Sequence, residues 1–514
     1  MINRTYYLIL TLFLSHCILL EAQYSSIGDR PNIIYILADD LGYGDLGCYG
    51  QDKIETPNID ALARHGMKFT QHYAGSPVCA PSRYMFLTGK HPGHALIRSN
   101  HEWGERGDVW DYKKAVHDIN LEGQFPIPDS TITLGETLQS AGYKTALIGK
   151  WGLGAPETEG VPNKQGFDYF YGYNCQRQAH NLYPPFLWEN DQKIWLDNKI
   201  VVPGTKLPEG SDPLDIHSYD QFIQKEYAPA LMLDAALKFI DENKNNPFFL
   251  YFASPIPHVP LQVPPEYYGK YVQKFGDEEP YPGDQGYFPH RYPRAAYAGM
   301  ITYLDEQVGQ LIDKIKADGV YENTLVIFTS DNGPTFNGGS QSPWFDSGGP
   351  FPSEKGRGKG YVYEGGIREP FIAAWPGVIK EGTTSDVISA FWDMMPTFNA
   401  IAGVKSPDDI DGVNLLPVLE GHTDHVDREY LYWEFPSYGG QQAVRMGPWK
   451  GIRQNIQKGN TIIELYNLEK DLQEQRNVAD QHPEIVKKME SIMAKEHTEP
   501  DLKRFRMEAL GDDK

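Results

Sequence analysis

Residues 76–83 read SPVCAPSR, and the thiol of Cys79 is the group in this stretch best suited to chemistry. Pro81 follows two residues later. Proline is favoured in the first turn of a helix, where its missing N–H costs nothing. The run PSRYMFLTG therefore predicts a helix that begins just after the thiol. Cys79 would then lie beside free N–H groups and the positive end of a helix dipole, which favour anions and lower a thiol pKa. Arg83, one turn on, points back toward the same spot.

Polar side chains recur at four other places, each after an apolar run. Asp39 and Asp40 follow NIIYILA, Lys150 follows KTALIG, His258 comes soon after FFLYFA, and Asp331 and Asn332 follow TLVIFT. Asp39, Asp40, Asp331 and Asn332 supply three carboxylates and an amide oxygen, with no His or Cys among them. Such a set suits a hard cation, Ca²⁺ or Mg²⁺, rather than zinc.

The elements that must position these groups are legible in outline. The runs at 32–38, 144–149, 248–253 and 324–329 are apolar or β-branched nearly throughout, as in parallel strands buried on both faces. Helical patterns precede them: Thr133 and Glu136 form a capping box, residues 227–243 are amphipathic, and residues 296–318 end at Gly319. Helix followed by strand, repeated, predicts an α/β fold with a largely parallel sheet. Ligands bind such sheets outside the carboxyl ends of the strands. Asp39, Asp40, Lys150, His258, Asp331 and Asn332 are therefore expected on one rim.

The order Cys79, Pro81, Ser82, Arg83 resembles the signature of the formylglycine-dependent (type I) sulfatases, and LTGKHPGH at 87–94 continues the likeness. GRGKGYVYEGGIREP at 356–370 resembles the family's second long signature, and GKWGLG at 149–154 its G-K-W-H-L-G. The resemblance runs from about residue 31 to 480 and is nearest to bacterial arylsulfatase A-like enzymes acting on sulfated polysaccharides. It implies an alkaline-phosphatase-like α/β sandwich. It also implies that a formylglycine-generating or anaerobic sulfatase-maturating enzyme converts Cys79 to 3-oxoalanine, which hydrates to a geminal diol. Asp39, Asp40, Asp331, Asn332 and the modified Cys79 would hold one Ca²⁺ per chain, with Mg²⁺ the lesser alternative. Arg83, Lys150, Lys359 and His258 would neutralise the sulfuryl group, and His258, by family position and its intrinsic pKa near neutrality, would protonate the leaving oxygen. One diol hydroxyl attacks sulfur and the alcohol leaves; the second then collapses the covalent sulfate and restores the aldehyde. One departure stands out. Gly152 replaces the family's usual His, so either another side chain fills that place or the pocket is wider there.

The remaining sequence bounds the reading. A net charge of −22 argues against non-specific binding to nucleic acid or anionic membrane, so an anionic substrate needs a local basic cluster. Residues 1–22 read as a signal peptide, and no later run is long enough to span a membrane, which predicts an exported, periplasmic or secreted protein. Residues 27–423 are expected to form the α/β part with the site. Residues 424–514 would form a smaller antiparallel sheet with a helix at 483–496, packed against it, and ELYNLEKD at 464–471 matches the family there. Cys17 falls in the signal, and Cys48 and Cys175 read as two buried free thiols. Asn174, Gln176, Arg177 and His180, in an irregular segment at 171–190, are suited to sugar hydroxyls, with aromatic neighbours to stack on a ring. A second loop at 264–294 would cover the same mouth, and His94, Arg98 and Asn100 are further candidates. Two alternatives are a phosphatase or phosphodiesterase of the same superfamily and a catalytically impaired carbohydrate-binding relative. The first would carry Ser or Thr and a His-rich two-metal site, and the second would lack the Cys or the Asp pairs.

Overall fold

Side chains of strand β1, Asn32–Ala38, alternate between two buried cores, and the architecture follows from that. Ile33, Tyr35 and Leu37 enter one core; Ile34, Ile36 and Ala38 enter the other. The protein is described here from a computed structural model covering residues 30–513; the expected signal peptide and Cys17 lie outside the described residues.

The main sheet has eleven strands. In chain order these are β1, β2 (Met67–Tyr73), β3 (Lys144–Lys150), β4 (Tyr169–Tyr173), β5 (Phe186–Glu189), β6 (Gln192–Trp195), β7 (Phe248–Ala253), β8 (Thr324–Ser330), β9 (Arg368–Ala374), β10 (Thr383–Ser385) and β11 (Ser389–Ala390). They run β10-β2-β9-β8-β1-β7-β3-β4-β5-β6, with β11 also on β2. The four strands expected from sequence, β8, β1, β7 and β3, are consecutive and parallel at its centre. Strands β9, β5 and β6 run antiparallel to their neighbours toward the margins. The segment 171–190 is thus mostly sheet and a 3₁₀ turn rather than irregular loop, and the stretch 264–294 contains a helix, Pro265–Phe275.

Helices cover both faces. Ala228–Asn243 and Pro293–Ala317 pack on the core of Ile34 and Ile36, and Cys79–Thr88 and Met394–Ala402 on that of Tyr35. The helix Cys79–Thr88 is buried on every side, and Phe86 stacks on Tyr35 with ring centroids 4.2 Å apart. That contact sets the helix on the sheet with its first turn at the carboxyl ends of β1 and β8. Burial of this kind contributes roughly 1.5–3 kcal/mol per large side chain.

A second, antiparallel sheet follows, of β12 (Leu431–Phe435), β13 (Gln441–Met446), β14 (Trp449–Gln454) and β15 (Glu464–Asn467). The helix Pro483–Glu496 covers one face through Met489, Ile492 and Met493. Trp433 and Phe435, on the other face, join the main core, and Trp433 Nε1 donates to the carbonyl of Ala74 at 2.9 Å. The two sheets are packed together, as expected.

Candidate active site

The helix begins at Cys79 itself, with Val78 as its N-cap, two residues earlier than Pro81 predicts. Asp39 and Asp40 leave β1 here, and Asp40 takes a left-handed backbone at φ 64°, which aspartate tolerates better than most residues. That turn lets the Asp40 N–H donate to Asp331 Oδ1 at 3.2 Å, just past the end of β8. Lys150 closes β3. His258 follows β7 between two cis peptides, Ile256–Pro257 and Val259–Pro260.

The residues expected on the rim meet around Cys79, together with Arg83 and Lys359. Cys79 Sγ lies 3.3 Å from Asp39 Oδ1 and 3.5 Å from Lys359 Nζ. Lys150 Nζ is 2.5 Å from Asp39 Oδ2. Arg83 bridges Asp331 Oδ2 at 2.9 Å and Asp39 Oδ2 at 3.3 Å, and also donates to the Lys150 carbonyl. Lys359 Nζ is 2.6 Å from Asp40 Oδ1, and Asn332 Nδ2 donates to the same oxygen at 2.8 Å. His258 Nε2 stands 3.6 Å from Asp40 Oδ2, and its Nδ1 donates to the Val259 carbonyl at 2.5 Å. Lys359 comes from the 356–370 motif, far along the chain from every one of its partners.

The electrostatics depart from two expectations. The helix N-terminus does not activate the thiol: burial and then Asp39 push Cys79 up to about 12, despite Lys150 and Lys359. His258 is not poised near neutrality either, because burial, then Lys359 and Lys150, hold it well below the usual imidazole range. Burial would raise Asp39, but Lys150, His258 and Arg83 outweigh it and hold the carboxyl far below its ordinary value. Asp40 is raised by burial, and Asp331 is raised to about 7 by burial and then by Asp39. Adjacent buried carboxylates that repel one another are what a bound cation relieves.

The fit to a metal rests on atoms already in place. Asp39, Asp40, Cys79 and His258 each bring one ligand atom within 4.8 Å of the others. Asn332 Oδ1 is buried without a hydrogen-bond partner among the described residues. The oxygens match a hard cation. His258, expected outside the ligand set, stands close enough to belong to it.

Gln176, Arg177 and His180 lie on the 3₁₀ turn Gln176–His180 and line, with Cys79, Lys150 and His258, a cavity of about 800 Å³. The His180 and His258 rings stack, centroids 5.2 Å apart. Asn174 does not join them. It precedes the turn, its carbonyl accepts from the Gly152 N–H, and it lines a separate cavity. His94 and Arg98 are engaged elsewhere: His94 with Asp411 at 2.9 Å, and Arg98 with Glu434 at 2.7 Å. Asn100 does line the cavity, accepting from the Ala80 N–H at 2.9 Å and Gln176 Nε2 at 3.1 Å. It thus caps the nucleophile helix.

The place of the missing His is filled. A β-carbon at Gly152 would lie 2.5 Å from Gln176 Cγ and 3.0 Å from Gln124 Oε1. Gln124 carries no motif in sequence, and Tyr287, whose ring meets both His180 and His258 edge-on, was signalled only by its aromatic-rich loop. Cys48 and Cys175 are free; Cys48 is partly exposed rather than buried, and the Cys175 thiol donates to Glu102.

Comparison with known proteins agrees with this geometry. The Sulfatase family matches residues 31–404, and the N-sulphoglucosamine sulphohydrolase C-terminal family matches 357–499. Human arylsulfatase A is 32% identical, aligned over 91% of this chain and 88% of its own. An N-acetylgalactosamine-6-O-sulfatase of Bacteroides thetaiotaomicron is 30% identical over 90% of this chain and 92% of its own. Among solved structures, Ps i-CgsB in complex with k-i-k-neocarrahexaose superposes with a TM-score of 0.71 at 27% identity, covering 92% of this chain and 94% of that one. The buried acidic and cationic cluster around Cys79, carried on this sheet, belongs to a member of the sulfatase family, a sulfuric ester hydrolase.

Proposed function

We propose that the enzyme releases inorganic sulfate from sulfated oligo- or polysaccharides, using a 3-oxoalanine made from Cys79 by a formylglycine-generating or anaerobic sulfatase-maturating enzyme. The observation that carries this reading is the position of Cys79 Sγ, 3.3 Å from Asp39 and 3.5 Å from Lys359 at a helix start. That sulfur stands where a diol oxygen of the matured residue would stand. A thiol held up to about 12 is a poor nucleophile, which supports an oxygen rather than a sulfur as the attacking atom.

Asp39, Asp40, Asp331 and Asn332 would hold one Ca²⁺, which when bound supplies Lewis-acid stabilisation of the attacking oxygen and the sulfate. Lys150 and Lys359 bind the sulfuryl oxygens, and Arg83 keeps Asp331 and Asp39 in place. His258, neutral with its Nδ1–H on Val259, presents a free Nε2 to the site. It would take the proton that the attacking hydroxyl of the hydrated Cys79 aldehyde releases and pass it to the leaving oxygen, so that the two transfers balance. His180 and Gln176 face the sugar. A carbohydrate substrate is supported by the names of the relatives, N-acetylgalactosamine-6-O-sulfatase among them.

Residues 1–22 would direct export to the periplasm or medium. Residues 27–423 carry the site, and 424–514 complete its rim through Ser437 and Arg504. Among the described residues no helix is long and apolar enough to cross a membrane. The test is the mass of the Cys79 peptide from protein produced with a maturation enzyme, paired with sulfate release from a panel of sulfated oligosaccharides. Active protein with an unmodified thiol would overturn the reading.

A further inference from the structure

The cations that line the cavity above Cys79 differ in how they are neutralised. Lys150 is held by Asp39, and Arg504 by Glu105. Arg177 has no such partner. Its Nε, Nη1 and Nη2 are all buried, and none makes a hydrogen bond among the described residues. The residue is only 7% exposed. Its guanidinium carbon sits 5.7 Å from the ring centroid of Trp110, which is 72% exposed and lines the same cavity.

Two buried carboxylates, Glu102 and Glu122, lie near enough to feel this charge, but neither accepts a hydrogen bond from it. Glu102 accepts from the Cys175 thiol at 3.4 Å, and Glu122 accepts from Trp188 Nε1 at 2.6 Å and pairs with Lys193 at 3.2 Å. A guanidinium offers five N–H donors in a planar fork. Removing it from water without an acceptor is costly, so such a group calls for an anion with two oxygens. A sugar hydroxyl would satisfy one donor and leave the rest of the fork without acceptors. The reacting sulfate is not the missing partner, since Lys150 and Lys359 already serve the position at Cys79. The net charge of −22 makes a dedicated cation all the more necessary for a substrate with more than one negative group.

We propose that Arg177, backed by Trp110, binds a second oxyanion on the substrate, a carboxylate or a sulfate on the saccharide other than the sulfate being cleaved. This deepens the sulfatase reading of the same cavity and rests on it. The preferred substrate is then a polyanionic saccharide, a uronate-containing or multiply sulfated one, rather than a neutral sugar with a single sulfate.

The experiment compares wild type, Arg177→Ala and Arg177→Lys on three sugars: a monosulfated N-acetylgalactosamine, the same sugar with a second sulfate, and a monosulfated disaccharide carrying a uronic acid. The Arg177→Ala loss in kcat/KM is expected to be about 10- to 100-fold greater on a substrate with the second anion than on the monosulfated sugar. Whichever of the two anionic substrates shows that excess identifies sulfate or carboxylate as the group bound. Arg177→Lys, which keeps the charge but not the fork, is expected to recover part of it. Equal losses on all three sugars would overturn the proposal. Should wild type cleave none of them, the sulfatase reading fails separately, and the same ratio is read from dissociation constants of the intact sugars. Equal weakening for all three would again overturn it.

Discussion

Replacing Gly152 with alanine tests how the site is built where it departs from its family. The backbone there has φ +81°, and a β-carbon would meet Gln176 Cγ at 2.5 Å. A left-handed conformation costs a non-glycine residue roughly 1–2 kcal/mol. Relief of the contact requires Gln176 to move by about 1 Å, since ordinary carbon contacts begin near 3.5 Å. That displacement breaks the bond from Gln176 Nε2 to Asn100 at 3.1 Å, and the same β-carbon, 3.0 Å from Gln124 Oε1, disturbs the bond that this oxygen accepts from the Gln176 backbone N–H at 3.1 Å. Each is worth about 1 kcal/mol, so the whole change destabilises by about 3 kcal/mol. A chain of 514 residues has an unfolding entropy near 1 kcal/mol/K, so Tm falls by only about 3 °C. Activity is the more sensitive readout. Asn100 holds the Ala80 N–H beside the nucleophile, and a misplacement of about 1 Å can cost about 100-fold in rate. We therefore expect kcat/KM to drop by roughly 10- to 100-fold. The Gln176→Ala change removes the clashing Cγ, so the double variant should lose about 1 kcal/mol less stability than the two single losses together. Strict additivity, or an alanine variant with wild-type kinetics, would refute the reasoning.

Other outcomes follow from the same geometry. Cys79→Ala should abolish turnover, and Lys359→Ala should cut it by about 100- to 1,000-fold with the fold retained, read by sulfate release and near-ultraviolet circular dichroism; normal rates in either would contradict the site. Ca²⁺ at about 100 times its dissociation constant should stabilise the mature enzyme by about 2.7 kcal/mol, read as a rise in Tm that a chelator reverses. No Tm response to Ca²⁺ or Mg²⁺ would remove the cation from the site. His180→Ala should impair cleavage of a sugar sulfate far more than of a small aryl sulfate; equal losses would take it out of the sugar contacts. His497 sits between Glu434 at 2.7 Å and Asp512 at 2.8 Å; burial works against its charge, but Glu434 and then Asp512 raise it above the ordinary imidazole value. A raised folded value means stabilisation that is complete below about pH 6.5 and is lost as pH rises through that folded value. The Tm deficit of His497→Gln should thus be larger at about pH 6 than at about pH 9; a deficit that grows with pH would reverse the assignment.

The amino-acid sequence by itself determined the centre of this protein. Strands β1, β3, β7 and β8 are legible because both their faces are buried, so nearly every residue must be apolar, and the polar residues that end them stand out. Strands β2 and β9 were not legible. The first mixes buried and partly exposed positions, and the second begins with Arg368 and Glu369 inside a glycine-rich motif. Local pattern also pointed to Cys79 and its helix, because proline and the apolar run after it act within a single turn. Only the tertiary structure decided the charge states, since burial and neighbours distant in the chain set them: the thiol is raised and His258 lowered, against expectation from either residue alone. It likewise decided that Gln176 fills the space at Gly152, that Asn174 lines another cavity and that Arg177 lacks an acceptor among the described residues. These are facts about which groups meet across tens to hundreds of residues, and no spacing along the chain encodes them.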